Sequence, residues 1–125
     1  MNTSPAVVDI VVPTYHRYEI LAETLKSVQS QSYPHWECWI AEDGRSDETH
    51  AVVMPFLQDK RFHYLPGEHA GTPAAPRNRA MLAGKAPYIA FLDDDDVWLP
   101  EKLARQISFL EDHPCCVLLG SNALI

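Results

Sequence analysis

Apolar residues form two alternating kinds of run along the chain, and these runs predict strands and helices in turn. A near-continuous apolar run over residues 7–12 is typical of a strand buried on both faces, and Pro13 is expected to end it. Apolar residues then recur every three or four positions over residues 18–31, which predicts an amphipathic helix. The positions that carry this second pattern are Leu21, Leu25 and Val28.

Three more helices follow from capping and proline signals together with the same spacing. Ser46 is expected to cap a second helix, which Pro55 kinks or shortens. A third helix has Pro73 and Pro76 in its first turn and continues over residues 77–84. A fourth helix has Pro100 near its start and an apolar stripe formed by Leu99, Leu103, Ile107 and Leu110.

The regular alternation of strands and helices predicts an α/β fold. The further strands are expected at residues 36–41, 61–65, 86–92 and 115–120. With helices between them, they form a Rossmann-like open, mainly parallel sheet with helices on both faces. Ligands of such sheets gather beyond the carboxyl ends of the strands. Polar clusters occur at three of these ends, at residues 14–17, 42–44 and 93–96.

Composition and charge restrict the classes of function. With 125 residues, 46% hydrophobic and 22% charged, the chain is expected to be one globular domain over residues 1–125. The formal net charge of -7 argues against nucleic-acid binding, which requires a basic face. No signal peptide is visible, and the longest apolar run is far below the roughly 18 residues of a membrane span. The expected location is the cytoplasm, at the inner face of the membrane for the full-length protein.

Cysteine and histidine give no sign of a soft metal site. The chain has an odd number of cysteines, Cys38, Cys115 and Cys116, and they form no Cys-x-x-Cys pair. They are therefore interpreted as small buried hydrophobic residues in a reducing compartment. The six histidines are scattered along the chain without ligand spacing. The sequence therefore does not predict a zinc site.

Four consecutive aspartates at residues 93–96 are the strongest chemical signal. Two carboxylates about 5 Å apart repel each other by about 3 kcal/mol at an effective dielectric of about 20. A cation relieves this repulsion, and oxygen ligands favour Mg²⁺ or Mn²⁺. A solvated acidic turn that caps the next helix is the alternative. The position of the run directly after a buried apolar strand favours the metal.

Three other residues could serve a nucleotide, and each has a structural alternative. Asp43 follows the second strand and could accept hydrogen bonds from a base or a ribose, or it could belong to a helix-capping turn. Tyr15 could stack on a base or could only pack locally. Arg77 could pair with a phosphate or a base carbonyl, or could lie on the surface.

Four motifs in a fixed order resemble those of the family 2 glycosyltransferases and cover nearly the whole chain. Residues 11–17 resemble the opening strand and loop of that family, and residues 42–47 resemble its second acidic signature. Residues 70–78 resemble its Gly-to-Arg-Asn segment, and residues 88–100 resemble its Asp-x-Asp region. Together the motifs are highly specific.

The resemblance implies the N-terminal half of an A-type glycosyltransferase fold. It also implies transfer of a sugar from a nucleotide-diphosphate donor, with UDP as the first choice of nucleotide. The resemblance further implies inversion at the anomeric carbon and a requirement for Mn²⁺ or Mg²⁺, with Asp95 and Asp93 as the metal ligands. The donor-binding residues that it implies are Pro13, Thr14, Tyr15, Arg17, Glu42, Asp43, Arg77, Asp93 and Asp94.

The chain departs from the family pattern in sequence and in length. The departures in sequence are His16, Glu42, Arg45 and Pro76, which put the identity of the base in question. Family domains are about twice as long, so the domain is interpreted as truncated at its C-terminus. The catalytic base and the site for a saccharide or lipid-linked acceptor are expected beyond residue 125. The fragment is expected to bind the donor only, and to self-associate through surface left uncovered.

Three other classes of protein share parts of this pattern. A nucleotidyltransferase has a similar fold and acidic site, but it would need a basic, glycine-rich loop after the first strand. A receiver-like module that binds Mg²⁺ without catalysis would need carboxylates in the loop where Thr14 and Tyr15 stand. A calcium-binding EF-hand would need alternating oxygen ligands, which Val97 interrupts.

Overall fold

The computed structural model of the protein describes residues 6–72 and 74–113. Four strands form one sheet in the order β3-β2-β1-β4, and every neighbouring pair is parallel. The strands are β1 (Val8–Thr14), β2 (Trp36–Glu42), β3 (Phe62–Leu65) and β4 (Tyr88–Phe91). The helices are α1 (Tyr18–Gln29), α2 (Asp47–Val53), α3 (Ala74–Ala83) and α4 (Lys102–Asp112), and a short 3-10 helix spans Met54–Gln58.

One face of the sheet carries the main hydrophobic core. Because side chains alternate along a strand, Val8, Ile10 and Val12 of β1 all face this side, and each is almost completely buried. Helices α1, α2 and α4 cover the face. Their buried contributions to the core are Leu21, Leu25, Val28, Val53, Leu103 and Ile107.

Within residues 6–72 and 74–113, α3 is the helix that covers the opposite face, and the core there is much smaller. Val11 of β1 packs there with Ala41 and Ala80, and Trp39 borders the cluster. Since α3 presents an alanine to the sheet, the helix can approach it closely. Helices on both sides of a parallel sheet confirm the predicted Rossmann-like α/β class.

The prediction that Pro13 ends the first strand is wrong, because β1 continues to Thr14. Pro13 pairs with Ala41 in the register of β1 against β2. Asp43 N donates to Thr14 O at 2.8 Å, so the backbone groups of Thr14 face β2 and those of Pro13 face the other way. On that side the pairing with β4 ends at Val11. Proline therefore sits where its missing N–H costs no ladder hydrogen bond.

Other element boundaries differ by a few residues. Helix α1 ends at Gln29 rather than residue 31, and β3 and β4 are shorter than the predicted ranges 61–65 and 86–92. Helix α4 begins at Lys102, so Leu99 and Pro100 precede it, and the Leu99 side chain is exposed. A proline disfavours helical geometry at the residue before it, which accounts for Leu99 lying outside α4.

Several local predictions are confirmed, while others fall outside the described residues. Ser46 caps α2 by accepting a hydrogen bond from Thr49 N at 3.2 Å, and α2 gives way to the 3-10 helix just before Pro55. Cys38 is buried, and this burial raises the pKa of its thiol. The predicted strand at residues 115–120, both cysteines there and Pro73 lie outside the described residues. Among the described helices, none is long and apolar enough to cross a membrane.

Candidate functional site

A cavity of about 570 Å³ opens at the carboxyl edge of the sheet. The chain builds β1, β2 and β3 outward in one direction and then returns to place β4 on the other side of β1. This reversal leaves a crevice beyond the ends of β1 and β4, which is where open α/β sheets bind ligands. All three polar clusters predicted from the sequence contribute side chains to the cavity.

The end of β1 and the loop after it form one wall. Four of the residues predicted to bind the donor line the cavity here, namely Pro13, Thr14, Tyr15 and Arg17. His16 has a φ of 52°, in the left-handed region that histidine and asparagine tolerate better than most residues. The histidine that departs from the family's usual asparagine therefore still permits the turn that directs Tyr15 into the site.

Asp43 lies at the base of the cavity, directly after β2. Its carboxylate accepts hydrogen bonds from Ala70 N at 2.6 Å and Gly71 N at 3.0 Å. The N–H of Ala70 is the largest cause that lowers the pKa of Asp43, and His69 acts in the same direction. Asp43 is therefore ionised at neutral pH, so its carboxylate can accept further hydrogen bonds but cannot donate one.

His69 is a cavity residue that the sequence did not indicate. Its Nδ1 lies 3.2 Å from Asp43 Oδ2, and its ring stacks on Tyr15 with centroids 4.8 Å apart. The loop that carries it also brings Gly71 and Thr72 to the cavity. A single histidine in a loop has no periodicity or spacing to distinguish it, so only the tertiary contact between the loop and β2 reveals its position.

The acidic loop, residues 93–101, joins β4 to α4 and forms another wall of the cavity. Asp93, Asp94 and Asp95 line the cavity. Carboxylate oxygens of Asp93, Asp95 and Asp96 all lie within 4.8 Å of one another, and all three side chains are exposed. Asp96 is thus an additional candidate ligand beside the two that the sequence predicted.

Asp94 and Arg17 show how the loop balances its negative charge. Asp94 is buried, and burial is the largest cause that raises the pKa of its carboxyl, against the opposing influence of Thr14 and Arg17. Arg17 Nη1 donates to Asp95 Oδ2 at 3.1 Å. Both partners of this ion pair are about half exposed, so the pair is weak.

The donor set of the acidic loop suits a divalent metal ion. Three exposed carboxylates supply hard oxygen ligands, which Mg²⁺ and Mn²⁺ prefer, and they leave room for waters and for ligand phosphates. A guanidinium already lies against Asp95, which shows that the cluster attracts positive charge. The residues present therefore fit the metal that the sequence predicted, with Asp95 and Asp93 joined by Asp96.

The structure places Arg77 beside the main cavity rather than in it. Arg77 lines a neighbouring cavity of about 380 Å³ together with Asp93 and Asp96. Its guanidinium carbon lies 5.7 Å from the centre of the Phe91 ring, and its buried Nε has no hydrogen-bond partner among the residues that the structure describes. The side chain is close to the acidic loop and has donors to offer there.

The carboxylate of Glu42 lies away from the cavity. Glu42 has the same orientation as the core residues Cys38 and Ile40 of β2, because alternate residues of a strand share a face. Its side chain accepts hydrogen bonds from Ser46 Oγ at 2.8 Å and from Tyr64 Oη. Glu42 and Arg77 are thus the two predicted donor-binding residues outside the main cavity, and Glu42, unlike Arg77, is directed away from the acidic loop and supports α2.

The comparisons with known proteins agree with this arrangement. The model of the family described as glycosyl transferase family 2 matches residues 9–124, which include every polar cluster of the cavity. The chain belongs to glycosyl transferase family 2. The sequence resemblance is thereby confirmed, and the cavity lies on the fold of this family.

Relatives within family 2 include proteins of bacterial polysaccharide synthesis. TuaG of Bacillus subtilis, which carries the name of a teichuronic acid biosynthesis glycosyltransferase, is 34% identical over 126 residues. The match covers 100% of this chain and 50% of TuaG. WfgD of Escherichia coli, named as a UDP-Glc:alpha-D-GlcNAc-diphosphoundecaprenol beta-1,3-glucosyltransferase, is 34% identical over 119 residues. That match covers 95% of this chain and 47% of WfgD. The chain therefore spans about half the length of these family 2 relatives.

A solved structure supports the fold. The crystal structure of residues 1–349 of Staphylococcus aureus TarS in complex with UDP-GlcNAc superimposes with a TM-score of 0.81 at 26% identity. The superposition covers 86% of this chain and 32% of the TarS chain. The parallel sheet and its flanking helices are thus those of the A-type fold.

Proposed function

We propose that this chain is the donor-binding part of a metal-dependent, inverting glycosyltransferase that uses a nucleotide-diphosphate sugar. The observation that carries the proposal is the convergence of Tyr15, Asp43 and the acidic loop on one cavity at the switch point of the sheet. An aromatic ring, a fixed carboxylate and a cation-binding cluster are complementary to a base, a ribose and a diphosphate. Family membership favours sugar transfer over nucleotidyl transfer or receiver-like signalling.

The nucleoside would occupy the wall formed by Pro13, Thr14, Tyr15 and Asp43. Because Asp43 stays ionised, its carboxylate can accept a hydrogen bond from an N–H of the base. The ring of Tyr15 provides a stacking surface, from which His69 has to move aside. UDP is our first choice of nucleotide, since the name of WfgD specifies UDP-Glc and TarS has been solved with UDP-GlcNAc.

The ribose and diphosphate would lie along the acidic loop. Asp93 and Asp94 are proposed to approach the ribose, and Asp95 and Asp93 to hold Mn²⁺ or Mg²⁺ with the help of Asp96. The metal, when bound, stabilises the charge that develops on the departing nucleotide diphosphate. Arg17 and Arg77 flank the loop and offer guanidinium donors to phosphate oxygens.

The proposal assigns donor binding, and not efficient transfer, to these 125 residues. Inverting transfer needs a base on the side of the sugar opposite the leaving diphosphate. The carboxylates of the cavity are occupied by the proposed metal and nucleoside roles, so the base and the acceptor site belong to the longer protein. By analogy with the lipid-linked acceptor in the name of WfgD, we propose a saccharide or lipid-linked acceptor. The reaction would then occur in the cytoplasm at the inner face of the membrane.

Calorimetric titration with UDP tests the metal-dependent site. We expect UDP to bind at least about tenfold more tightly with Mn²⁺ than with excess chelator, a difference of about 1.4 kcal/mol. Asp95→Asn should remove most of that gain, because it takes away a proposed ligand charge. Asp112→Asn is the matched control, since it removes an exposed carboxylate at the end of α4, far from the cavity.

Two results would contradict the proposal. Equal UDP affinity with Mn²⁺ and with chelator would remove the metal from the site. An equal loss in Asp95→Asn and Asp112→Asn would show that net charge matters rather than the acidic loop. A parallel titration with GDP determines the base preference, because the affinities for UDP and GDP are then compared under the same conditions.

A further inference from the structure

Helix α1 runs beside the acidic loop, and side chains from its C-terminal half hold that loop by its backbone. Thr24 Oγ1 donates to the carbonyl oxygen of Asp94 at 2.9 Å. Gln31, just past the end of the helix, donates from Nε2 to the carbonyl oxygen of Leu99 at 2.8 Å. The two contacts fix points on either side of Asp95.

Gln31 also fixes the start of the helix that follows the loop. Its Oε1 accepts a hydrogen bond from Leu103 N, in the first turn of α4, at 3.0 Å. In the described part of the chain, the side chain of Glu101, the N-cap residue of α4, makes no capping hydrogen bond. The amide of Gln31 therefore supplies from a distance the acceptor that the local sequence lacks. One side chain thus sets the end of the loop and the beginning of α4 together.

The orientation of the Gln31 amide is fully determined by its partners. Besides Leu99, its Nε2 donates to the carbonyl oxygen of Ser27 at 3.1 Å, which ties the amide to α1 itself. The adjacent Ser32 N donates to Pro100 O at 2.8 Å, so the backbone just after α1 also holds the loop. These bonds connect the loop to a helix that is anchored in the main core.

Burial indicates that these polar side chains are committed to the loop. Thr24 is 1% exposed and Gln31 is 8% exposed, whereas neighbouring Leu21, Leu25 and Val28 supply the apolar contacts of α1. A buried polar group without a partner is strongly unfavourable, so each must keep its hydrogen bonds to the loop in the folded protein. The contacts are therefore persistent features and not surface encounters.

We infer that Thr24 and Gln31 are positioning residues for the metal site, which they hold by fixing the backbone of the acidic loop. The inference rests on the proposed function. Like charges on Asp93, Asp95 and Asp96 repel one another and would spread an untethered loop. Tethering at residues 94, 99 and 103 keeps their oxygens close enough to share one ion before it arrives. Sites prepared in this way bind without first having to order their ligands.

The test measures the ratio of UDP affinities with Mn²⁺ and with chelator in isosteric variants of the protein. Thr24→Val and Gln31→Met keep the shape of the side chains and remove the hydrogen bonds. We expect each to lower the UDP affinity with Mn²⁺ severalfold more than the UDP affinity with chelator, so that the Mn²⁺-dependent gain falls without being abolished. Thr24→Ser retains the hydroxyl and should keep the full gain. Val53→Ala, at a buried position of α2, controls for loss of stability alone.

The possible outcomes separate this inference from the proposed function. If Thr24 and Gln31 have only a structural role, Thr24→Val and Gln31→Met should lower the melting temperature, as Val53→Ala does, and leave the ratio of UDP affinities unchanged. That result would overturn the inference. If the wild-type protein shows no Mn²⁺-dependent gain at all, the proposed function and the inference both fail. If the wild type shows the gain and both isosteric variants retain it, only the positioning role is wrong.

Discussion

Two neighbouring acidic residues, Glu42 and Asp43, illustrate what individual positions contribute. Glu42 is the last residue of β2 and shares the inward face of that strand, so its carboxylate is enclosed by Ser46 and Tyr64. Burial is the largest cause that raises the pKa of Tyr64, and its bond to Glu42 adds to the effect. Asp43 stands one residue further on, where the strand has ended, and its carboxylate faces the cavity. A single step along the backbone separates a structural acid from a candidate ligand-binding one.

Asp43→Asn tests the residue proposed to recognise the base. We expect UDP affinity to fall about tenfold or more, because a hydrogen bond to a charged partner contributes about 1.5–3 kcal/mol. Calorimetry without metal isolates this effect from the acidic loop. Binding of Mn²⁺ alone, followed by the paramagnetic signal of the free ion, should not change in the variant. Wild-type UDP affinity in Asp43→Asn would remove this residue from the proposed nucleoside site.

Among the elements, the turn before β3 depends on one ion pair. Asp59 Oδ2 accepts from Arg61 Nη2 at 2.7 Å, and Asp59 Oδ1 accepts from Arg61 N at 3.1 Å. The same guanidinium donates to Pro34 O at 3.1 Å and lies 3.9 Å from the centre of the Trp36 ring. The pair therefore joins the beginnings of β2 and β3. The side-chain hydrogen bond that Arg61 donates to Asp59 is the largest cause that lowers the pKa of Asp59.

The stability of this turn should depend on pH in a direction that the pKa shift defines. A lowered pKa means that the folded state favours the carboxylate, so the contribution is complete above the ordinary value of 3.8. It is lost as the pH falls through the lower, folded-state pKa. We expect Asp59→Asn to reduce the free energy of unfolding by about 1–3 kcal/mol at pH 7. The difference from wild type should shrink below pH 3.8.

Urea denaturation followed over a range of pH measures this dependence. Glu23→Gln is the control, since it removes an exposed carboxylate from α1 without touching the turn. A difference between wild type and Asp59→Asn that is constant from pH 7 down to pH 3 would show that the charge of Asp59 does not stabilise the turn.

At the scale of the whole molecule, the two faces of the sheet are unequally covered. Among the residues that the structure describes, three helices bury one face, while α3 covers only part of the other. At the β4 edge, Ile89 is 42% exposed and Phe91 is 51% exposed on that second face. Exposed apolar side chains along a sheet edge favour association with other chains.

We expect the 125-residue chain to self-associate through this edge. Light scattering should show an average mass that rises with concentration, and Ile89→Lys should reduce the rise by placing a charge on the edge. Met54→Lys changes an apolar side chain of similar exposure on the 3-10 helix and should leave association as in the wild type. A monomer at high concentration with a high melting temperature would contradict the prediction.

The sequence by itself determined the fold class, the order of the elements and the edge of the sheet that carries the site. These follow from local causes, because apolar periodicity and capping signals such as Ser46 act over a few residues. The family motifs indicated Tyr15, Asp43 and Asp95, which line the cavity, because each stands at a fixed place after a strand.

The tertiary structure decided what depends on contacts between distant parts of the chain. Pro13 remains in β1 only because β4 ends before reaching it, and the position of His69 depends on its loop folding onto Asp43. In the sequence, nothing distinguishes Thr24 and Gln31 from the ordinary polar residues of an amphipathic helix. Their hydrogen-bond partners lie about seventy positions away. Local patterns record how each segment folds, whereas hydrogen bonds between segments are set by packing, which no local pattern encodes.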